Sequence, residues 1–257
     1  MTIKLITVTW SYEDTFDIEN TYLWKSFKKF NPDKEIVHFH FNRSHYQHLE
    51  SEFNNRFGIQ SEYILYKIQL LSEKVREVNT DYVIFCDAND VTCIDNVDRL
   101  ISTFDLTNTV IFGAEKNQWP TPDRKKDWVG YTDYTGFDIK NEFYLNSGMI
   151  LSTKNNYITL LSNIISNILS NDMKLFHNDQ GVFTWHYNMN GFPTIKLDYG
   201  NVFTVNTFKR STSEYELKNG SFHSKFNSVR PCFVHDNGWE HGSPKFTLAF
   251  ELKQLYS

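Results

Sequence analysis

Tyr82-Val83-Ile84-Phe85-Cys86-Asp87-Ala88-Asn89-Asp90 is a continuous apolar run that ends in two carboxylates three positions apart. A strand needs such a run, rather than an alternating one, when both its faces are buried, as they are in parallel sheets. In open α/β sheets the ligand crevice lies beyond the carboxyl ends of strands, which places Asp87 and Asp90 where chemistry is done. Two such carboxylates offer hard oxygen ligands to one divalent cation, magnesium or manganese, of the kind that also binds substrate phosphates. The same residues equally suit a local role, with Asp87 capping a turn and Asp90 starting a helix.

Upstream of this run, Ile64, Ile68, Leu71, Val75 and Val78 recur at spacings of four and three, which predicts an amphipathic helix over Ser61 to Val78. Before it come an expected strand at Ile3 to Thr9, a helix at Ile18 to Phe30 closed by Asn31-Pro32, and a strand at Glu35 to Phe41. Downstream, a helix near Asn96 to Phe104 and a strand at Thr109 to Gly113 repeat the alternation. This order predicts an α/β fold with right-handed crossovers. The polar stretch from Trp119 to Asn141, with Pro120, Pro122, Gly130 and Gly136, reads as a long loop of the kind that serves as a lid.

Beyond the loop, Phe143-Tyr144-Leu145 and Met149-Ile150-Leu151 are expected to flank a turn, followed by a helix over Tyr157 to Ser170 and a short one from about Asn178. Short strands are expected at Thr194 to Leu197, Val202 to Val205 and Pro231 to His235. The stretch from Lys209 to Asn227 has no clear pattern, and a helical tail is expected at Lys245 to Tyr256. No repeat or low-complexity linker interrupts the chain.

A chain of 257 residues buries roughly three quarters of its unfolded surface, enough for one substantial core. The 22 Phe, 14 Tyr and 6 Trp exceed what that core needs, so some rings are expected to line a cleft. A net charge of −5 without a long basic run lacks the electrostatic footprint of a dedicated nucleic-acid binder. Three cysteines, Cys86, Cys93 and Cys232, with no CxxC pair, suggest neither a disulfide framework nor a cysteine-based zinc site and fit a reducing compartment. The N-terminus reads as a strand and not a signal peptide, and no segment approaches the roughly eighteen apolar residues of a membrane helix. A soluble, cytoplasmic protein is the expectation.

Three more segments carry candidate chemistry. Tyr144-Leu145-Asn146-Ser147-Gly148 combines an amide, a hydroxyl and a glycine between apolar runs, which suits a sugar or phosphate and also suits an ordinary hairpin turn. Cys232-Phe233-Val234-His235-Asp236-Asn237-Gly238 again follows an apolar strand with a polar turn, and His235 is either a nitrogen ligand for the same cation or a hydrogen-bonding residue at a strand end. His177-Asn178-Asp179-Gln180 places a carboxylate at a helix start, either as an N-cap or to orient a hydroxyl and stabilise positive charge at a sugar carbon.

In this order the motifs resemble the glycosyltransferase domain of the procollagen lysyl hydroxylases, a GT-A type fold also similar to the collagen galactosyltransferases. Leu5-Ile6-Thr7-Val8-Thr9 resembles that family's first strand, Tyr66-Lys67-Ile68-Gln69-Leu70-Leu71 its helix before the metal motif, and Asp87-Ala88-Asn89-Asp90 the Asp-x-x-Asp motif itself. Val110 to Glu115 with Trp119-Pro120, then Leu145-Asn146-Ser147-Gly148, Asn178-Asp179-Gln180, Leu197-Asp198 and His235-Asp236-Asn237-Gly238 continue the likeness. The resemblance implies a single Rossmann-like domain over 1–257, with a mixed, mostly parallel sheet flanked by helices. Its nucleotide-binding half would cover about 1–115 and its acceptor-side half about 116–257.

The resemblance further implies a UDP-sugar donor, Mn2+ with Mg2+ as the alternative, and Asp87, Asp90 and His235 as the metal ligands. Thr7, Val8, Thr9, Lys67, Asp87, Asn146, Ser147, Gly148 and Gly238 would hold the donor. Asp179, with Glu115 or Asn237 nearby, would position the acceptor or sugar hydroxyls, and Trp119 would form an apolar wall or movable gate. Three positions depart from the family pattern: Met149 follows Gly148 in place of a second glycine, Asn178-Asp179 shortens an acidic run, and Asp236 replaces a glycine. The acceptor would be a hydroxyl on a protein or saccharide. A hydroxylated nucleobase in DNA, touched through Lys125-Lys126 and Lys209-Arg210, is the alternative acceptor, and an idle sugar-nucleotide or glycan-binding module is the alternative class. The Asn, Lys, Ile and Tyr content fits an AT-rich viral or bacterial genome.

Overall fold

The computed structural model describes residues 1–42, 44, 63–115, 144–170, 179–207, 214–218, 221–225 and 229–237. The predicted loop at 119–141, the tail at 245–256, Asn178, Trp119, Gly238 and the two basic pairs lie outside the described residues.

Strand β1 (Ile3–Ser11) leads through a short 3-10 turn (Ile18–Asn20) into helix α1 (Tyr22–Phe30) and strand β2 (Glu35–Asn42). The single helix expected over Ile18 to Phe30 is thus split at Thr21, whose hydroxyl donates to Ile18 O at 2.7 Å and accepts from Trp24 N at 3.2 Å. A threonine that caps the next segment ends the previous one, because its backbone is extended. Helix α2 (Tyr63–Glu77) and strands β3 (Tyr82–Asp87) and β4 (Val91–Cys93) follow. The short strand β4 stands where a helix start at Asp90 was one expectation, and helix α3 begins only at Asp98 (Asp98–Thr103).

Strands β5 (Thr109–Glu115) and β6 (Tyr144–Thr153), helices α4 (Lys154–Ser170) and α5 (Asp179–Asn188), and strands β7 (Thr194–Asp198) and β8 (Thr204–Asn206) continue the chain. A hairpin, β9 (Tyr215–Lys218) with β10 (Ser221–Ser224), occupies part of the stretch whose sequence carries no pattern, and β11 (Phe233–His235) ends the described chain.

The central sheet has the order β2-β1-β3-β6-β5-β7. Every strand runs the same way except β6, which is antiparallel to both β3 and β5. Strands from the first and last parts of the chain therefore interleave in one sheet. Helices α2, α4 and α5 cover one face, where Ile6, Val8, Val83 and Phe85 meet Leu65, Ile68, Tyr157, Leu161 and Phe183. Helices α1 and α3 cover the other, where Leu5, Ile84 and Cys86 meet Leu23, Phe27, Val97 and Leu100. Burial on both faces explains the unbroken apolar run of β3. All three cysteines are buried and free, and burial raises each thiol, so none is a thiolate.

The turn expected between Leu145 and Met149 is absent, because Tyr144 to Thr153 forms one strand. Its ladder to β5 is interrupted instead: Phe112 faces Ile150 while Gly113 faces Asn146, which leaves Ser147, Gly148 and Met149 as a bulge. A bulge lets a polar step sit inside a buried strand, since its backbone groups can bond to side chains and not to a neighbouring strand. Here Gly148 N donates to Asn146 Oδ1 at 3.0 Å and Ser147 N to Gln180 Oε1 at 3.3 Å.

A second sheet, β4-β11-β8, lies beside the carboxyl end of β3. Within it Val91 faces His235 and His235 faces Asn206. Asp198 prepares this arrangement from the far side, its buried carboxylate accepting the backbone N–H groups of Val202, Phe203 and Thr204 just where β8 begins. Among the described residues no helix is long and apolar enough to cross a membrane.

Candidate active site and metal centre

Asp87 is the last residue of β3, Asp90 the residue before β4, and His235 the last of β11, so three strand ends meet at one point. Asp236 N donates to Asp90 O at 2.7 Å, which carries the β4–β11 ladder past the site and fixes the spacing of the two segments. His235 Nε2 lies 3.3 Å from Asp90 Oδ2 and 3.7 Å from Asp87 Oδ2. One ligand atom from each of the three residues falls within 4.8 Å of the others. His235 is 2 % exposed, yet its Nε2 has no aligned hydrogen bond.

Gly148 is what permits this convergence. A Cβ at that position would stand 2.5 Å from Asp87 Oδ2 and press on the His235 ring. The glycine in the bulge therefore serves close approach, as glycine does where backbone must pass near a ligand or a ligating group.

The electrostatics draw positive charge to the same point. Burial, then the charge of Asp90, lifts the Asp87 carboxyl to about 6. Burial opposes a charged His235, but Asp90, Asp87 and Glu115 outweigh it and raise the imidazole to about 9. Two carboxylates converging on one buried imidazole nitrogen fit a divalent cation, with further coordination positions left for substrate oxygens.

A hydrogen-bonded network surrounds this centre. Glu115, the buried end of β5, accepts from Gln180 Nε2 at 2.7 Å through one oxygen and from Asn237 Nδ2 through the other, and it also bonds to Asn146. Burial pushes its carboxyl up to about 7. Asp179, the first residue of α5, pairs with Lys67 Nζ of α2 at 2.6 Å and accepts from Ser147 Oγ at 3.4 Å. Burial would raise the Asp179 carboxyl, but the Lys67 charge and hydrogen bond prevail and hold it below the usual range. Lys67 and Asp179 both act on the charge of Asp87, which makes them part of the same site.

Most of the residues singled out in the sequence thus come together: Asp87, Asp90, His235, Gly148, Asn146, Ser147, Lys67, Asp179, Glu115 and Asn237. Thr7, Val8 and Thr9 stand beside them, since Thr7 pairs with Cys86 and Val8 with Asp87, but all three side chains are buried. The Thr9 hydroxyl lies 2.9 Å from both His38 Nε2 and His40 Nδ1.

Two of the departures are absorbed locally. Asp236 accepts from Thr207 Oγ1 at 2.8 Å, which turns its carboxylate to a partner outside the Asp87–Asp90–His235 cluster. Met149 pairs with Cys86 and packs in the core on the α1 side of the sheet. Sequence reasoning missed Asn206 and Thr207. Their signal was the one already used at His235, an apolar strand ending in polar residues, but the expected strand stopped one position short, at Val205.

A family model described as the PLOD GT domain matches residues 61–243 of the chain. Among solved structures, the chain is similar to a glycosyltransferase involved in the glycosylation of the major capsid of PBCV-1. The two share 11 % identity at a TM-score of 0.51, and the match covers 99 % of this chain and 100 % of that one. No curated protein sequence matches it.

Proposed function

Since the chain belongs to the family of PLOD GT domains and is a glycosyltransferase, we propose that it transfers a hexose from a UDP-sugar to a hydroxyl acceptor and depends on Mn2+, or Mg2+, to do so. The observation that carries this reading is the convergence of Asp87, Asp90 and His235 beneath the side-chain-free face of Gly148. A cation held there supplies Lewis-acid neutralisation of the departing diphosphate.

The protein's own residues do the rest. Lys67 adds a positive charge that reaches the diphosphate side of the centre. Asp179 is ionised at neutral pH because Lys67 holds it so, and it serves as a fixed negative charge beside the sugar carbon or as an acceptor for a sugar hydroxyl. Glu115 anchors the amides of Gln180 and Asn237, so that Asn237 presents a fixed polar face to the acceptor side. The bulge at Asn146 to Gly148 shapes the sugar pocket. Trp119 and Gly238 are assigned to the sugar wall and the donor by family likeness alone. One domain spanning 1–257, with the donor bound mainly by residues up to 115, is part of the same reading, as is a protein or saccharide acceptor.

Thermal-shift titration of nucleotides and UDP-sugars with and without Mn2+, on wild type and Asp90→Ala, tests the proposal. Stabilisation by one UDP-sugar that requires Mn2+ and vanishes in the variant is expected. A folded wild type that responds to no UDP-sugar with the ion present would overturn it.

A further inference from the structure

The ring of His235 has two nitrogens, and the direction in which it offers a lone pair is decided from behind. Its Nδ1 lies 2.7 Å from Asn206 Oδ1 and 3.1 Å from Asn146 Oδ1. Each amide is oriented by a backbone group whose character is unambiguous. Asn206 Nδ2 donates to Ala114 O at 3.0 Å, and a carbonyl only accepts. Asn146 Oδ1 accepts from Gly148 N at 3.0 Å, and an amide N–H only donates. Both side chains therefore turn oxygen toward Nδ1, so Nδ1 carries the hydrogen. Nε2, on the side of Asp87 and Asp90, is therefore the nitrogen that a cation would take, displacing the proton it holds there when the ring is charged.

We propose that Asn206 is a positioning residue which, together with Asn146, locks His235 in its Nδ1–H form and thereby aims Nε2 at the metal centre. The inference rests on the metal dependence proposed above. Asn206 is fully buried and closes the small sheet opposite His235. Gly113 makes room for it, since a Cβ there would lie 2.8 Å from Asn206 Nδ2. The chain of bonds from Ala114 O through Asn206 to His235 ties the cation site to the end of β5. Asn206 thus acts behind a ligand without touching the ion, and partners of this type govern metal affinity through ring orientation and tautomer.

The test is titration of metal-free protein with Mn2+ alone, followed by calorimetry or by the electron paramagnetic resonance of free Mn2+. Asn206→Ala is expected to weaken binding about 10–100-fold. Asn206→Asp keeps an oxygen facing Nδ1 but meets Ala114 O without a donor, so its affinity is expected to fall between those of wild type and Asn206→Ala. Equal Mn2+ affinity in wild type and folded Asn206→Ala would overturn the inference and leave metal dependence intact. A wild type that binds no Mn2+ would instead remove the metal reading itself. Nitrogen-15 imidazole spectra of the wild-type Zn2+ complex give a readout that needs no variant: a hydrogen on Nδ1 and metal on Nε2 support the proposal, and the reverse assignment overturns it.

Discussion

Glu115 illustrates how a single buried residue carries both a function and a cost. The fold surrounds it with amide donors but excludes water, and burial wins, so its carboxyl titrates near 7 and not at its ordinary 4.5. A folded-state value above the unfolded one means that the folded protein holds the proton more tightly. The associated stability is fully present below about pH 4.5 and is lost as pH rises through 7, on the order of 3 kcal/mol for a group buried this deeply. We expect Tm of metal-free wild type, measured against Glu115→Gln to cancel other titrations, to fall relative to the variant between pH 5 and 8. A difference that stays flat across that range would mean that Glu115 titrates as a solvated carboxyl. At this scale the candidate cluster was legible, because Asp87 and His235 each end an apolar run and Asp90 follows Asp87 by three positions. Asn206 was missed although it also ends an apolar strand, because the expected strand stopped at Val205 and an asparagine there is a common strand-end residue.

Among the elements, strand β6 decides the geometry of the site. Its bulge is the place where an apolar strand admits Asn146, Ser147 and Gly148 without leaving the sheet, and Gly148 is the one position there that tolerates no side chain. Gly148→Ala must displace Asp87 or His235, and overpacking of this kind costs about 1–3 kcal/mol. A chain of this size loses about 2–4 °C in Tm per kcal/mol. Mn2+ binding should suffer beyond that loss, since the methyl enters between two of the proposed ligands, and a Gly148→Ala protein that binds Mn2+ as wild type does would contradict the proposed centre. The existence of the early strands and helices was readable from period and capping, whereas the form of β6 was not. A polar tripeptide between two apolar runs is the signal of a hairpin, and only a neighbouring Gln180 able to satisfy Ser147 N makes it a bulge. The split of the first helix at Thr21 was likewise open to a closer reading, since threonine before an aromatic helix start is a cap signal.

The whole molecule brings together residues from α2, β3, β5, β6, α5, β8 and β11, which span most of the described chain, because β6 runs between β3 and β5 and the small sheet closes over their ends. An α/β fold was legible from the alternation of elements. The antiparallel placement of β6 was not, since strand direction depends on tertiary pairing and leaves little trace in local sequence. The acceptor is the question that belongs to this scale, because it concerns the field of the entire surface. With 26 basic and 31 acidic residues, the protein carries a net charge of −5. Binding to DNA through six to ten phosphates falls by about 10³–10⁵ between 50 and 200 mM salt, because condensed counterions are released on association. A hydroxyl on a peptide or saccharide brings no such counterion sheath. We therefore expect kcat/KM for transfer to change by less than about tenfold over that range, as suits an acceptor recognised by hydrogen bonds and ring contacts in place of phosphate charge. A fall of about a thousandfold, reversed when salt is diluted, would reassign the acceptor to a hydroxylated base in DNA while leaving the metal centre and the donor as proposed.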